Sequence, residues 1–221
     1  VSAMGAIFLF AVLFVGTHLV MSHPLRAPLV RRLGPRGFVA AYSAVSFATF
    51  IPLILARRSA GGVDWLWEPS DLAWGIAALL MLFASILLVG SFVKNPAIET
   101  LANPKAAIPP PHGVFRITRH PMMWSFALWA IAHLLVNPQR PAMIVALAIL
   151  ILALGGAAGQ DAKKKALLGE RWAEWEAQTS YLPFGRGLAA PGWTALLGGV
   201  ALFLLATWLH PIPVGIWRWI G

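Results

Sequence analysis

Residues 72–93, LAWGIAALLMLFASILLVGSFV, run for 22 positions without a charged side chain. A helix rises 1.5 Å per residue, so this stretch reaches about 33 Å, enough to cross the hydrocarbon core of a bilayer. An amphipathic helix on a soluble core would carry a polar face, and here only Ser85 and Ser91 interrupt the apolar run. Working outward, Ser2–Met21 and Phe38–Ala56 are equally apolar, and Pro121–Val136, Ala142–Gly159 and Trp193–His210 are uncharged but shorter. The expected fold is therefore all-α, a polytopic integral membrane helical bundle of about six transmembrane helices forming one domain over residues 1–221.

Composition agrees with that reading. The 221 residues are 59% hydrophobic and 11% charged, with a mean hydropathy of +0.74, against the roughly half-apolar, quarter-charged balance of soluble domains. So apolar a chain is not disordered. Its net charge of +9 does not form one basic face, so nucleic acid is excluded as a partner in favour of membrane topology. Thirteen Lys and Arg fall in the connections Ser22–Gly37, Lys94–His120 and Gln160–Gly192, while Arg57, Arg58, Arg140 and Arg218 lie opposite. The positive-inside rule then places those three connections in the cytoplasm and both termini outside, on the periplasmic side of a bacterial inner membrane.

The first span has no basic residue before it and four after it, the reverse of a secretory signal, so it reads as a retained helix. Two connections read as helices lying on the membrane, one carrying Leu25, Leu29 and Leu33, the other Leu168, Trp172 and Trp175. Several Trp, including Trp65, Trp67, Trp208 and Trp217, stand near span ends, where an indole favours the interface.

With no cysteine in the chain, disulfides, thiolate metal sites and cysteine nucleophiles are ruled out, and six His remain as side-chain ligands. His18, near the end of the first span, and His133, deep in the fourth, are imidazoles in apolar surroundings. They suit either an interior hydrogen bond or a haem iron. Counted from the cytoplasmic end, the two differ in height by about 15 Å, which an iron shared between them would have to absorb. Gly113-Val-Phe-Arg116-Ile-Thr-Arg119-His120-Pro121 brings two guanidinium groups and an imidazole to the mouth of the fourth span. Such a cluster suits a propionate, a nucleotide-like carboxylate or a lipid phosphate, or serves as an ordinary basic flank. His120 and His133 point about 140° apart on an ideal helix and cannot share one metal. His23, His112 and His210, each beside a proline, read as structural. There is no intramembrane carboxylate pair, which disfavours proton pumping.

These patches resemble the NnrU family of bacterial membrane proteins and, through it, 15-cis-ζ-carotene isomerase. The likeness rests on His18, on Arg32-Leu-Gly34-Pro-Arg36-Gly running into Tyr42-Ser43, on Arg116 through Met122 with Ala132-His133-Leu134, and on Leu168-Gly169-Glu170-Arg171-Trp172 with Leu182-Pro183-Phe184. The resemblance implies haem b as cofactor, ligated by His18 and His133, with Arg116, Arg119, His120 and Arg26 around it. It also implies a redox or nitric-oxide-linked (denitrification) role, with the lipid bilayer and a redox partner or small apolar substrate as partners. Ala130 stands where the isomerase has a cysteine, which speaks against carotene isomerisation by ligand exchange. Arg119-His120-Pro121 with Gly169-Glu170-Arg171-Trp172 is also similar to S-adenosylmethionine-dependent membrane methyltransferases, although Met123 replaces their tyrosine. A non-catalytic respiratory assembly factor is the third reading.

Overall fold

The computed structural model describes residues 2–61, 65–96 and 108–220. Within them the chain is helical: α1 Ala3–Ser22, α2 Arg26–Ser59, α3 Asp71–Gly90, a 3-10 turn Gly113–Arg116, α4 Pro121–Val136, α5 Arg140–Leu168, α6 Glu170–Gln178, α7 Trp193–Trp208 and α8 Trp217–Ile220. Four helices, α1, α2, α3 and α5, are long and apolar enough to cross a membrane, and α4 and α7 are shorter apolar helices. The expected bundle of six apolar helices is therefore present.

Local chemistry sets the helix ends. Ser2 and Ser70 cap α1 and α3 by accepting from the backbone N–H of Gly5 and Ala73, and Pro121 and Pro141 open α4 and α5, where a missing N–H costs nothing.

The segment expected as a helix of its own around Leu25–Leu33 is helical from Arg26, and a kink at Gly34 (φ 70°, ψ 169°) sets it off from the part of α2 that forms the span. Pro35 drives its predecessor out of the helical region, and glycine tolerates the conformation that results. The helix that carries the fifth apolar stretch does not end with it at Gly159. α5 runs on to Leu168 and stops at Gly169 (φ 55°), so Leu168 is not on one helix with Trp172 and Trp175. Both tryptophans are nevertheless buried, on α6.

In space the apolar helices form a row in the order α2, α1, α5, α4, α3, α7, each packed on the next. One core lies where α1 and α2 meet α5, around Ile7, Phe14, Leu53 and Val145. A second joins α3, the 3-10 turn, α6 and the start of α7 around Leu87, Phe115, Trp175 and Ala195. Gly199 lets α7 approach α3 so closely that a Cβ there would sit 2.5 Å from the Ile86 Cα.

Candidate functional site: a basic-mouthed cavity among α1, α2, α4 and α5

Between the end of α1, the kinked start of α2, the beginning of α4 and the C-terminal half of α5 lies a cavity of about 880 Å³, within the size range of cofactor sites. Its walls are mostly apolar: Phe14, Phe38, Phe47, Phe50, Met123, Phe126, Ile149 and Leu152. Val39, Phe47 and Phe126 are largely exposed, so the cavity also opens sideways toward lipid.

His18 lines this cavity. One of its ring nitrogens, Nδ1, lies 2.7 Å from the Phe14 carbonyl oxygen. A carbonyl can only accept, so Nδ1 carries the proton and Nε2 holds a free lone pair. That is the tautomer in which a backbone carbonyl orients a metal-ligating histidine. The ring is held edge-on by Phe14, at 4.4 Å between centroids, and by Tyr42, at 5.2 Å.

At the basic end of the cavity stand Arg26, Arg36 and Lys163, with Gln160 and His23. Among the described residues none of the three cations meets an acidic side chain. Burial and the neighbouring Arg26 lower the pKa of Lys163, which lies beyond the apolar stretch of α5. Uncompensated cations at the mouth of an apolar cavity suit an anionic group on an apolar body.

The other expected site residues lie elsewhere. His133 is not among the cavity residues; it stacks on Trp129, with 3.9 Å between ring centroids, and donates from Nδ1 to the Trp129 carbonyl at 2.8 Å. His18 stands four residues from the end of α1 and His133 twelve from the start of α4 at the same face, a height difference of about 12 Å. In the row of helices α5 stands between α1 and α4. The structure thus does not bring these two imidazoles together.

Arg119 and His120 converge on Asp161 of α5. Arg119 donates from Nε and Nη2 to Oδ2, at 2.8 and 2.6 Å, and approaches Glu176 at 3.5 Å. His120 donates from Nε2 to Oδ1 at 2.8 Å. Burial raises the Asp161 pKa, but hydrogen bonds and charge from His120 and Arg119 outweigh it, so this carboxyl titrates below its usual range. Thr118 donates to the Tyr181 carbonyl, and Trp124 Nε1 donates to the same oxygen. This cluster latches α4, α5 and the segment after α6 together, and its guanidinium is already matched by carboxylates. Arg116 is exposed on the 3-10 turn, away from the cavity. Lys105, counted with the basic connections, lies outside the described residues.

Of the expected residues, then, His18 and Arg26 line the cavity, and Arg36 and Lys163 join them. Lys163 had a signal in the sequence: Ile149, Leu152, Gly156, Gln160 and Lys163 recur at three- and four-residue spacing, so one helical face continues past the last apolar residue. Among the described residues no three His, Asp or Glu side chains gather as ligands for a bare metal ion. A macrocycle brings four nitrogens of its own and asks the protein only for axial ligands.

Six apolar helices in one row, with a basic face at one end, define the class as an all-α polytopic membrane protein. The family described as NnrU protein matches residues 6–218, nearly the whole chain, and the chain belongs to it. Among curated proteins and among solved structures nothing matches it.

Proposed function

We propose that this chain is a b-type haem-binding protein of the bacterial inner membrane, its basic face toward the cytoplasm, with a redox or nitrogen-oxide-linked role. The observation that carries the reading is His18: an imidazole with a free Nε2, oriented by the Phe14 carbonyl, on the wall of an apolar cavity of about 880 Å³. His18 would ligate the iron, Phe14 and Tyr42 would fix its ring, and the apolar walls would exclude water from the macrocycle. A haem bound there would supply one-electron redox chemistry and an iron coordination position.

His23 also lines the cavity, at its basic end, but its ring packs against Gly159, so His18 is the imidazole whose oriented Nε2 is offered as the iron ligand. The lateral opening beside Phe47 and Phe126 gives an uncharged ligand a route from the bilayer.

Absorption spectra of the detergent-purified protein, oxidised and then reduced with dithionite, test this. A Soret band is expected in the wild type and in His133→Ala, and its loss is expected in His18→Ala. Carbon monoxide should shift the reduced band. A band that survives His18→Ala would refute the assignment, and one that needs both histidines would point to a bis-histidine iron.

A further inference from the structure

Three cations close one end of the cavity, and no carboxylate among the described residues answers them. Arg26 and Lys163 are half-buried, Arg36 is exposed at the kink, and the Arg26 guanidinium lies 5.6 Å from the Phe38 ring centre. Elsewhere on this face the pattern is the opposite: Arg119 has Asp161 and Glu176 within reach. Holding like charges together in partly dehydrated surroundings opposes folding unless an anion joins them.

We infer that Arg26, Arg36 and Lys163 form a carboxylate subsite that anchors the acidic edge of the molecule bound in the cavity, with Lys163 as its central contact. This rests on the haem reading and refines it: the propionate carboxylates, rather than the ring alone, are what the mouth recognises. Arg119 and Arg116, which the sequence nominated for that task, are replaced by Lys163 and Arg36. The geometry is consistent along the chain. His18 and Arg26 are eight residues apart across the end of α1, which places the iron ligand deep and the cations at the rim. The depressed pKa of Lys163 fits a cation waiting for its counter-charge.

The test compares two probes, haem and haem dimethyl ester, whose carboxylates are masked, in neutral detergent. Wild type, Lys163→Gln and Arg26→Gln are titrated with each, and the thermal unfolding of each apo-protein is measured. The wild type should bind haem about tenfold or more tighter than the ester, as befits loss of charge-assisted hydrogen bonds. Each variant should lose that preference by weakening for haem while keeping its affinity for the ester. The apo variants should be as stable as the wild type or more so, because a repulsive charge has gone; a merely structural lysine would give the reverse. Equal wild-type affinity for haem and ester, or a parallel loss for both probes in the variants, would overturn the subsite and leave the haem reading standing. A wild type that binds neither probe would refute the haem reading and this inference with it.

Discussion

Both Nε and Nη2 of Arg119 donate to Oδ2 of Asp161, at 2.8 and 2.6 Å, which leaves Oδ1 for His120. One carboxylate on α5 thereby fixes two consecutive residues at the entrance to α4. The side chains of Arg119 and Asp161 are 13% and 14% exposed, dry enough that removing one partner strands the other. The segment Arg119–His120 precedes a proline, so its backbone cannot be held by helical hydrogen bonds alone. Arg119 donates its N–H to the Ser180 carbonyl at 2.8 Å and His120 donates its N–H to Thr118 Oγ1 at 3.2 Å, and the ion pair adds side-chain anchors to these.

Replacing Asp161 by Asn should cost about 3 kcal/mol, the scale for breaking a buried pair. Arg119→Ala should cost a similar amount, and the double variant little more than either alone. Thermal unfolding in detergent reads all three. A pH dependence follows from the depressed Asp161 pKa. A carboxyl whose folded value lies below its unfolded value of 3.8 adds stability above that value, and the contribution disappears as pH falls through the folded value. The wild-type unfolding temperature should therefore drop more steeply than that of Asp161→Asn below about pH 4. Parallel acid profiles would remove Asp161 from the account.

Gly34 joins the two halves of α2, with Arg26 and Val30 on one side of the bend and Pro35, Arg36 and Phe38 on the other, all lining the cavity. Its φ of 70° with ψ of 169° belongs to a region that side chains with a Cβ rarely enter, although nothing lies within 4 Å of where that Cβ would sit. Gly34→Ala should thus destabilise through backbone strain alone, by about 1–3 kcal/mol. Gly16, in regular helix on α1 and with equally open surroundings, is the control. Gly16→Ala should stabilise by up to about 1 kcal/mol. Unfolding curves showing the same sign for both would contradict the kink.

The spans were legible because bilayer thickness imposes one length and one composition on every crossing helix, as in Ser2–Met21 against the observed Ala3–Ser22. The helix ends facing the basic side were less so. Past Gly159 the residues turn polar, which looks like a loop, yet Asp161 and Lys163–Lys165 extend α5: Asp161 is fastened to Arg119 and His120 at the entrance to α4, and Leu168 packs at the cluster that holds Trp172 and Trp175. His18 and Arg26 could be nominated from residue type. That Arg119 is neutralised, and that His133 is not among the cavity residues, depend on which helices are neighbours. The order α2, α1, α5, α4, α3, α7 is not the chain order, and hydropathy carries no trace of it.

The contact between α3 and α7 offers a test of that order. A Cβ on Gly199 would lie 2.5 Å from the Cα and 2.7 Å from the backbone nitrogen of Ile86, so the helices themselves would have to separate. On Gly198 the nearest atom would be Cγ1 of Val89 at 2.8 Å, with the next at 3.9 Å, a clash that side-chain rotation relieves. Both changes gain about 1 kcal/mol of helix propensity, so only packing distinguishes them. Gly199→Ala should lose about 2 kcal/mol net, the scale of overpacking, whereas Gly198→Ala should stay within about 1 kcal/mol of wild type. Thermal unfolding of the two variants in the same detergent measures the difference. Equal effects would mean that α7 does not meet α3 through Gly199, and the end of the row would have to be redrawn.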